Sequence, residues 1–169
     1  MRMYADPGLR EPGAPVGAVD DDLRKLASDL FQTLREWPGV GLAATQVGIL
    51  RKVFVFDLEE GGRGVCVNPE ITWESEETEL DEEGCLSLPL DIRLNIPRST
   101  KIRFRCMNLD GKTEEYEVEG FKARVFQHEV DHLNGNLIID RASAAERREA
   151  LRELRERLIV QELAREAYS

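Results

Sequence analysis

Two histidines and a glutamate in the segment QHEVDH are the residues best suited to metal chemistry. His128, Glu129 and His132 follow the pattern HExxH, and they include both histidines of the chain. Side chains four positions apart lie on the same face of a helix, so the two imidazoles can converge on one ion. The glutamate between them can face a water molecule on that ion and accept its proton. The spacing therefore predicts a catalytic metal site, and such a site needs a third protein ligand.

A helix from about Phe121 to Leu133 is predicted to carry this motif. Its apolar residues fall on two faces, which is typical of a helix buried in the middle of a domain. Gly135 follows the expected end, where glycine commonly stops a helix. The simpler alternative is a pair of hydrogen-bonded core histidines. It is disfavoured because two histidines and a glutamate are costly to bury unless an ion balances their charge.

The third ligand can be sought by elimination. The longer protease motif HExxHxxGxxH would place a histidine at position 138, but the residue there is Ile138. Another group of metallopeptidases takes a carboxylate from downstream, and Asp140, Glu146 and Glu149 are available. The two glutamates lie in an evenly charged helix and are better explained as solvent-exposed residues.

Cys85 is the remaining candidate for the third ligand. It lies in GCLSLP, a segment that interrupts an acidic run. One thiolate and two imidazoles leave a fourth position for water, which is the open arrangement that catalysis needs. Cys66 and Cys106 lie in strand-like segments and are predicted to be small core residues.

The other elements must bring Cys85 to the HExxH helix. The segment DDDLRKLASDLFQTLREW has an apolar stripe at helical spacing, and KVFVFDL and GVCVNPEITW have the pattern of buried strands. The acidic run ESEETELDEE is predicted to be a solvated loop or an edge strand. Residues 143–167 are predicted to form a long C-terminal helix that Ser143 and Glu146 cap. Short strands followed by helices indicate an α+β fold, with residues 1–169 as a single domain.

Composition limits the classes of partner. The chain has 169 residues and a net charge of −10, which argues against DNA as a partner because phosphate contacts need clustered basic side chains. No apolar run approaches the length of a membrane span, and the first residues lack the pattern of a signal peptide. Three cysteines, an odd number, argue against a disulfide framework. A cytoplasmic protein is expected.

Three segments taken together resemble the signature motifs of the peptide deformylases. These are GVGLAATQ at 39–46, EGCLS at 83–87 and QHEVDH at 127–132. Members of that family remove the N-formyl group from the formylmethionine of nascent bacterial polypeptides and release formate. The resemblance runs from DPGLR to NGNLIID and implies short antiparallel sheets around a central HExxH helix.

The resemblance also implies a role for each site residue. The expected metal ligands are Cys85, His128 and His132. Glu129 is expected to be the general acid and base when metal-bound water attacks the formyl carbon. The Gln46 amide and the Leu86 backbone N–H are expected to stabilise the oxyanion. The expected substrate-binding residues are Val40, Gly41, Gly84, Phe121 and Val125.

The implied cofactor is one divalent metal ion. Ferrous iron is expected in the cell, with zinc, nickel or cobalt also able to occupy a Cys/His/His site. The implied partners are N-formylmethionyl peptides and nascent chains. A transient ribosome contact through the basic C-terminal helix stays open, although salt bridges within that helix are the preferred explanation. Two other classes also stay open: an HExxH metallopeptidase with a downstream carboxylate ligand, and a binding module without catalysis.

Arg124 departs from the apolar pocket that a methionine side chain requires. It lies one turn before His128 on the same predicted face. Its aliphatic stem is expected to pack while the guanidinium reaches solvent or the acidic run, with Asp81 as a candidate partner. The functional alternative is an altered preference for the residue that carries the formyl group.

Overall fold

The computed structural model describes residues 1–167, apart from the side chains of residues 161 and 165–167. In chain order, its helices and strands are α1 (Asp21–Arg35), β1 (Gly41–Ala43), β2 (Val53–Leu58), β3 (Gly62–Glu74), β4 (Thr78–Glu83), β5 (Leu94–Ser99), β6 (Lys101–Met107), β7 (Thr113–Glu119), α2 (Gly120–Leu133), α3 (Ile138–Arg141) and α4 (Ala144–Ala167). Short 3₁₀ turns cover Pro7–Arg10 and Ala44–Val47.

The strands form two antiparallel sheets. The five-stranded sheet has the order β1-β2-β3-β6-β7, and β4 pairs with β5 in a separate two-stranded sheet. The acidic run therefore contains an edge strand, which is one of the two structures that the sequence predicts for it. Antiparallel sheets combined with separate helices confirm the predicted α+β class.

Helix α2 packs against the five-stranded sheet through Phe126. This side chain is fully buried among three aromatic rings, at centroid distances of 5.3 Å from Phe54, 4.9 Å from Phe56 and 4.7 Å from Phe104. All four belong to one apolar cluster between the sheet and the helix. Such tilted and edge-on aromatic contacts hold a helix in one orientation as well as burying area. The packing therefore fixes which face of α2 points away from the sheet.

The end of α2 is set by Gly135, as the sequence predicts. Its φ of +76° is in the left-handed region, where glycine is favoured. A Cβ atom at this position would also collide with the backbone carbonyl of Arg10. The chain can therefore turn sharply away after the motif helix and let the N-terminal segment pass beside it.

Helix α1 follows its predicted apolar stripe. The Asp20 carboxylate accepts a hydrogen bond of 2.8 Å from the Leu23 N–H and caps the helix, and Asp21 and Asp22 occupy its first turn. The buried leucines of α1 pack in a cluster with residues of β1 and β2. The helix therefore supports strand β1, which lies within the motif GVGLAATQ at 39–46, here called the glycine-rich segment.

Helix α4 has an apolar stripe in its sequence, formed by Ala150, Leu151, Leu154, Leu158 and Leu163, and docks through only part of it. Ala150 and Leu154 are buried, whereas Leu158 and Leu163 are 38% and 60% exposed. Within residues 1–167, none of the helices combines the length and apolar character needed to cross a bilayer. That residues 1–169 form a single domain stays a prediction, and residues 168–169 lie outside the described part.

Replacing Phe126 by alanine is expected to destabilise the fold strongly. The change empties a fully buried site between α2 and the sheet, and truncations of this kind cost about 3–5 kcal/mol. Guanidinium unfolding at a fixed metal load measures the loss. Phe121→Ala on the same helix is the matched control because that ring is 61% exposed. Equal losses in the two variants would contradict the central role of the aromatic cluster.

Candidate active site

Three potential ligand atoms converge where α2 passes the end of β4. The Cys85 Sγ atom lies 3.2 Å from Nε2 of His132, and the Nε2 atoms of His132 and His128 are 3.1 Å apart. All three atoms lie within 4.8 Å of one another. One thiol and two imidazoles directed at a single point match the ligand set of zinc, iron and similar divalent ions.

The pKa shifts of these groups show that the cluster favours a thiolate with positive charge beside it. Burial would raise the pKa of the Cys85 thiol, but His132 and His128 hold that pKa well below its usual value. Burial would lower the pKa of His128, but hydrogen bonds to Cys85 and Glu83 raise it well above its usual value. The thiolate that results is the form of cysteine that binds metals. The donor set therefore fits a divalent ion chemically as well as geometrically.

Glu129 lies beside this cluster and is almost completely buried. Its Oε2 atom has no hydrogen-bond partner within the described residues, and burial raises the pKa of its carboxyl group. A buried carboxylate oxygen without a partner indicates a place that water or a ligand fills. A Cβ atom on Gly41 would collide with this carboxyl group. Glycine at position 41 therefore lets β1 approach the Glu129 carboxyl group closely.

Gln46 presents its amide group to the Cys85 loop. Its Oε1 atom accepts a hydrogen bond of 2.9 Å from the Ala43 N–H, which leaves Nε2 facing Ser87 Oγ at 3.2 Å and Cys85 Sγ at 3.9 Å. The neighbouring Thr45 hydroxyl donates to the His132 carbonyl at 3.1 Å. These bonds join the glycine-rich segment to both the cysteine loop and the motif helix.

A cavity of about 340 Å³ opens above these residues. His132 is buried behind the cavity wall, and the backbone N–H of Leu86 has no hydrogen-bond partner within residues 1–167. The other predicted site residues all line the cavity; they are Val40, Gly41, Gln46, Gly84, Cys85, Leu86, Phe121, Val125, His128 and Glu129. The fold thus assembles in one place residues that lie far apart in the sequence.

Glu83 is a site residue that the sequence analysis missed. Its carboxylate accepts hydrogen bonds from Arg98 at 2.9 and 3.1 Å and from Arg124 at 2.8 Å, and it lies 3.0 Å from Nδ1 of His128. Burial opposes its ionisation, but His128 and Arg98 lower its pKa to about 2. A carboxylate behind a ligating imidazole fixes the orientation of the ring and raises its basicity.

The buried charges continue beyond Glu83. Arg98 also donates to Asp131 at 2.6 Å, and Asp131 accepts a second bond of 2.6 Å from Arg141. The strand pattern around Arg98 could have revealed this network. Leu94, Ile96 and Arg98 alternate on the buried face of β5, and a buried arginine needs a carboxylate partner.

The Arg124 guanidinium reaches the acidic run, which is one of the two predicted alternatives, but its predicted partner is wrong. The side chain is buried rather than directed to solvent, and its partner in the acidic run is Glu83 rather than Asp81. Its guanidinium also donates to the backbone carbonyls of Ile96 and Glu79, each at 2.8 Å. The network forms because helix α2 packs against the inner face of the β4–β5 sheet. Any effect of Arg124 on substrate preference stays a prediction.

The downstream carboxylates have other partners. Asp140 pairs with Arg10 and accepts a bond of 2.8 Å from the Leu137 N–H. The Glu146 carboxylate accepts hydrogen bonds from the Asn95 amide and the Ser143 hydroxyl, and Glu149 lies 3.7 Å from Arg152. Cys85 alone joins the two histidines in the ligand cluster of the described residues. The arrangement therefore gives no support to a peptidase with a downstream ligand.

Comparison with known proteins decides the family. Residues 1–148 match the family model for polypeptide deformylase. The chain belongs to the polypeptide deformylase family. The resemblance seen in the three sequence motifs is thereby confirmed, and the chain is a metal-dependent hydrolase of that family.

Individual deformylases support the same assignment. The peptide deformylase of Thermotoga maritima is 48% identical over 147 residues, which cover 87% of this chain and 88% of that protein. A crystal structure of the T. maritima deformylase matches with a TM-score of 0.80 and covers 84% of this chain and 95% of the other. A deformylase from Synechococcus elongatus in complex with actinonin matches at 37% identity and a TM-score of 0.84, covering 90% of this chain and 83% of the other.

Replacing Glu83 by glutamine is expected to weaken both metal binding and folding. The neutral amide orients His128 less well, and loss of such a partner lowers metal affinity about 10–100-fold. Arg98 and Arg124 also lose a buried counter-charge, which costs about 3–5 kcal/mol of unfolding free energy. Chelator competition and denaturant unfolding measure the two effects. The exposed neighbour Glu82→Gln is the control, and wild-type metal affinity in Glu83→Gln would contradict the orienting role.

Proposed function

We propose that this deformylase hydrolyses the formyl amide of peptides that begin with N-formylmethionine, using a metal held by Cys85, His128 and His132. The observation that carries the proposal is the convergence of these ligands beside the buried carboxyl group of Glu129, at the wall of a cavity. A divalent ion bound there would supply Lewis acidity and lower the pKa of a coordinated water. The chain's own residues perform the remaining tasks.

Glu129 is the proposed proton carrier. Hydrolysis of a formamide requires that a proton leave the attacking water and that a proton reach the departing amine nitrogen. The Glu129 carboxyl group lies against the cavity, and burial raises its pKa above the usual value. Its position next to Gly41 places this exchange beside the passing peptide backbone.

Gln46 and Leu86 are the proposed oxyanion donors. The Gln46 amide is neutral, so it can donate to a developing negative charge without competing as a base. The Leu86 N–H is free of partners within residues 1–167, and both residues line the cavity. Removing one such preorganised donor typically raises the barrier by about 3 kcal/mol.

The substrate is proposed to lie as an extended strand between two sheet edges. Strand β1 is the edge of the five-stranded sheet, and β4 is an edge of the two-stranded sheet. Val40 and Gly41 before and in β1, and Gly84 after β4, line the same cavity. Backbone groups at free edges can pair with an added peptide strand. Phe121 and Val125 would then contact the side chain of the first residue.

Ferrous iron is the proposed native metal, with zinc, nickel or cobalt as possible occupants. Support comes from the mixed thiolate and imidazole set, which accepts several first-row ions.

A cytoplasmic location and action on nascent chains are part of the same proposal, supported by the three free thiols and the acidic composition. A ribosome contact through α4 gains little support, because Arg157 is engaged by Asp91 and Glu153 within the chain.

Glu129→Gln is expected to keep its metal and lose formate release. The amide cannot carry a proton, and loss of a general acid and base costs about 10²–10⁴-fold in rate. Cys85→Ser is expected to lose metal as well, whereas Glu149→Gln is expected to resemble the wild type. Formate release from formyl-Met-Ala-Ser, with metal analysis on the same samples, measures both properties. The proposal fails if wild-type protein loaded anaerobically with iron or nickel releases no formate.

A further inference from the structure

The N-terminal segment contacts two of the motif segments and the end of the motif helix through its backbone. The Arg2 N–H donates to the Gln46 carbonyl at 2.7 Å, and the Tyr4 N–H donates to the Ser87 carbonyl at 2.8 Å. Further along, the Gly13 N–H donates to the carbonyl of Leu133, the last residue of α2, at 2.9 Å. Residues 2–13, here called the N-terminal arm, therefore cross behind the site and bond to each of its three supports.

An ion pair holds the first part of this arm. The Arg2 guanidinium donates to Asp6 at 2.7 Å, and the same carboxylate oxygen accepts a bond of 2.8 Å from the Gly8 N–H. Arg2 also lies against Gly48, where a Cβ atom would come within 2.6 Å of the arginine Nε. Gly48 ends the 3₁₀ turn that carries Gln46, at a φ of +85°. One side chain thus joins the arm to the end of the Gln46 turn.

The arm matters because the two oxyanion donors stand on separate supports. Gln46 follows the edge strand of the five-stranded sheet, whereas Leu86 follows the two-stranded sheet. The direct bonds between the supports run from Gln46 Nε2 to Ser87 Oγ and to Cys85 Sγ, but Gln46 must also turn its amide towards the substrate. The bonds from Arg2 and Tyr4 hold the two backbones whether or not those side-chain bonds are made.

We propose that the N-terminal arm, held by the Arg2–Asp6 pair, is a positioning element that sets the separation of the Gln46 and Leu86 donors. The proposal rests on the roles assigned to those donors above. Small displacements of preorganised groups are costly in catalysis because the donors must match the developing oxyanion. The arm itself touches no reacting atom, so its effect on the rate acts through the two loops.

The test compares two arm variants with a matched pair elsewhere. Arg2→Ala removes the pair, and Asp6→Asn removes its charge while keeping an oxygen that can accept from the Gly8 N–H. Lys25→Ala is the control because Lys25 and Asp29 form an exposed pair with the same four-residue spacing on α1. With formyl-Met-Ala-Ser, kcat and kcat/KM are expected to fall together about tenfold in the arm variants, with KM within about twofold of wild type. Lys25→Ala is expected to match the wild type.

A second measurement follows the arm without metal or turnover. Amide hydrogen exchange at the Tyr4 N–H, recorded by NMR on metal-free protein, is expected to be faster in both arm variants and unchanged in Lys25→Ala. The proposal is overturned if folded arm variants exchange faster at Tyr4 yet keep wild-type kcat, or if neither property changes. If Arg2→Ala does not fold, the kcat of Asp6→Asn and its exchange rate at the Tyr4 N–H decide the question.

Gln46→Ala separates this proposal from the assignment of the donors. Full activity in Gln46→Ala would show that the oxyanion assignment has failed. A large loss of kcat in Gln46→Ala, combined with wild-type kcat in folded Arg2→Ala and Asp6→Asn, would overturn the arm proposal alone. Thermal unfolding of every variant verifies that the assay temperature lies well below the transition.

Discussion

The Glu83 carboxylate is held by Arg98, Arg124 and His128 in a space that water hardly reaches, and the site depends on this interaction. Ionisable groups are expensive to bury, so each of them must find opposite charge or a hydrogen bond in a fixed direction. Glu83 meets that demand for two arginines and simultaneously orients one metal ligand. The orientation of His128 and the balance of buried charges therefore depend on the same carboxylate, and a change in one alters the other.

The site lies where the two sheets meet, and its residues come from both of them. Helix α2 is clamped to the larger sheet by aromatic packing and contributes two ligands and a carboxylate in fixed register. The smaller sheet delivers Cys85 from the opposite side. Between them lies the cavity, and each of its walls includes residues at or next to an edge strand. Because the two walls belong to separate sheets, other contacts must fix their relative position. Hydrogen bonds from Thr45, Gln46 and the N-terminal arm provide these contacts.

Much of this architecture follows from local patterns in the sequence. Helical periodicity locates α1 and α2, Gly135 marks the end of the motif helix, and HExxH spacing requires a further ligand that elimination assigns to Cys85. The buried network of charges does not follow from local patterns, because Glu83 lies in a run of acidic residues that are otherwise exposed. Its burial depends on how β4 faces α2, and its pairing with Arg98 depends on the register of β4 against β5. No single segment of the sequence carries information about such long-range contacts. For the same reason, the predicted partner of Arg124 was wrong.

The exposed second half of α4 gives this deformylase a practical property. The match to the family model ends at residue 148, and the buried contacts of α4 end at Leu154, whereas Leu158 and Leu163 face outward. A fluorophore or an affinity label placed at Leu163 would lie on an exposed part of the helix, beyond its buried contacts. Such a label would report the tumbling of the whole molecule and its encounters with other molecules.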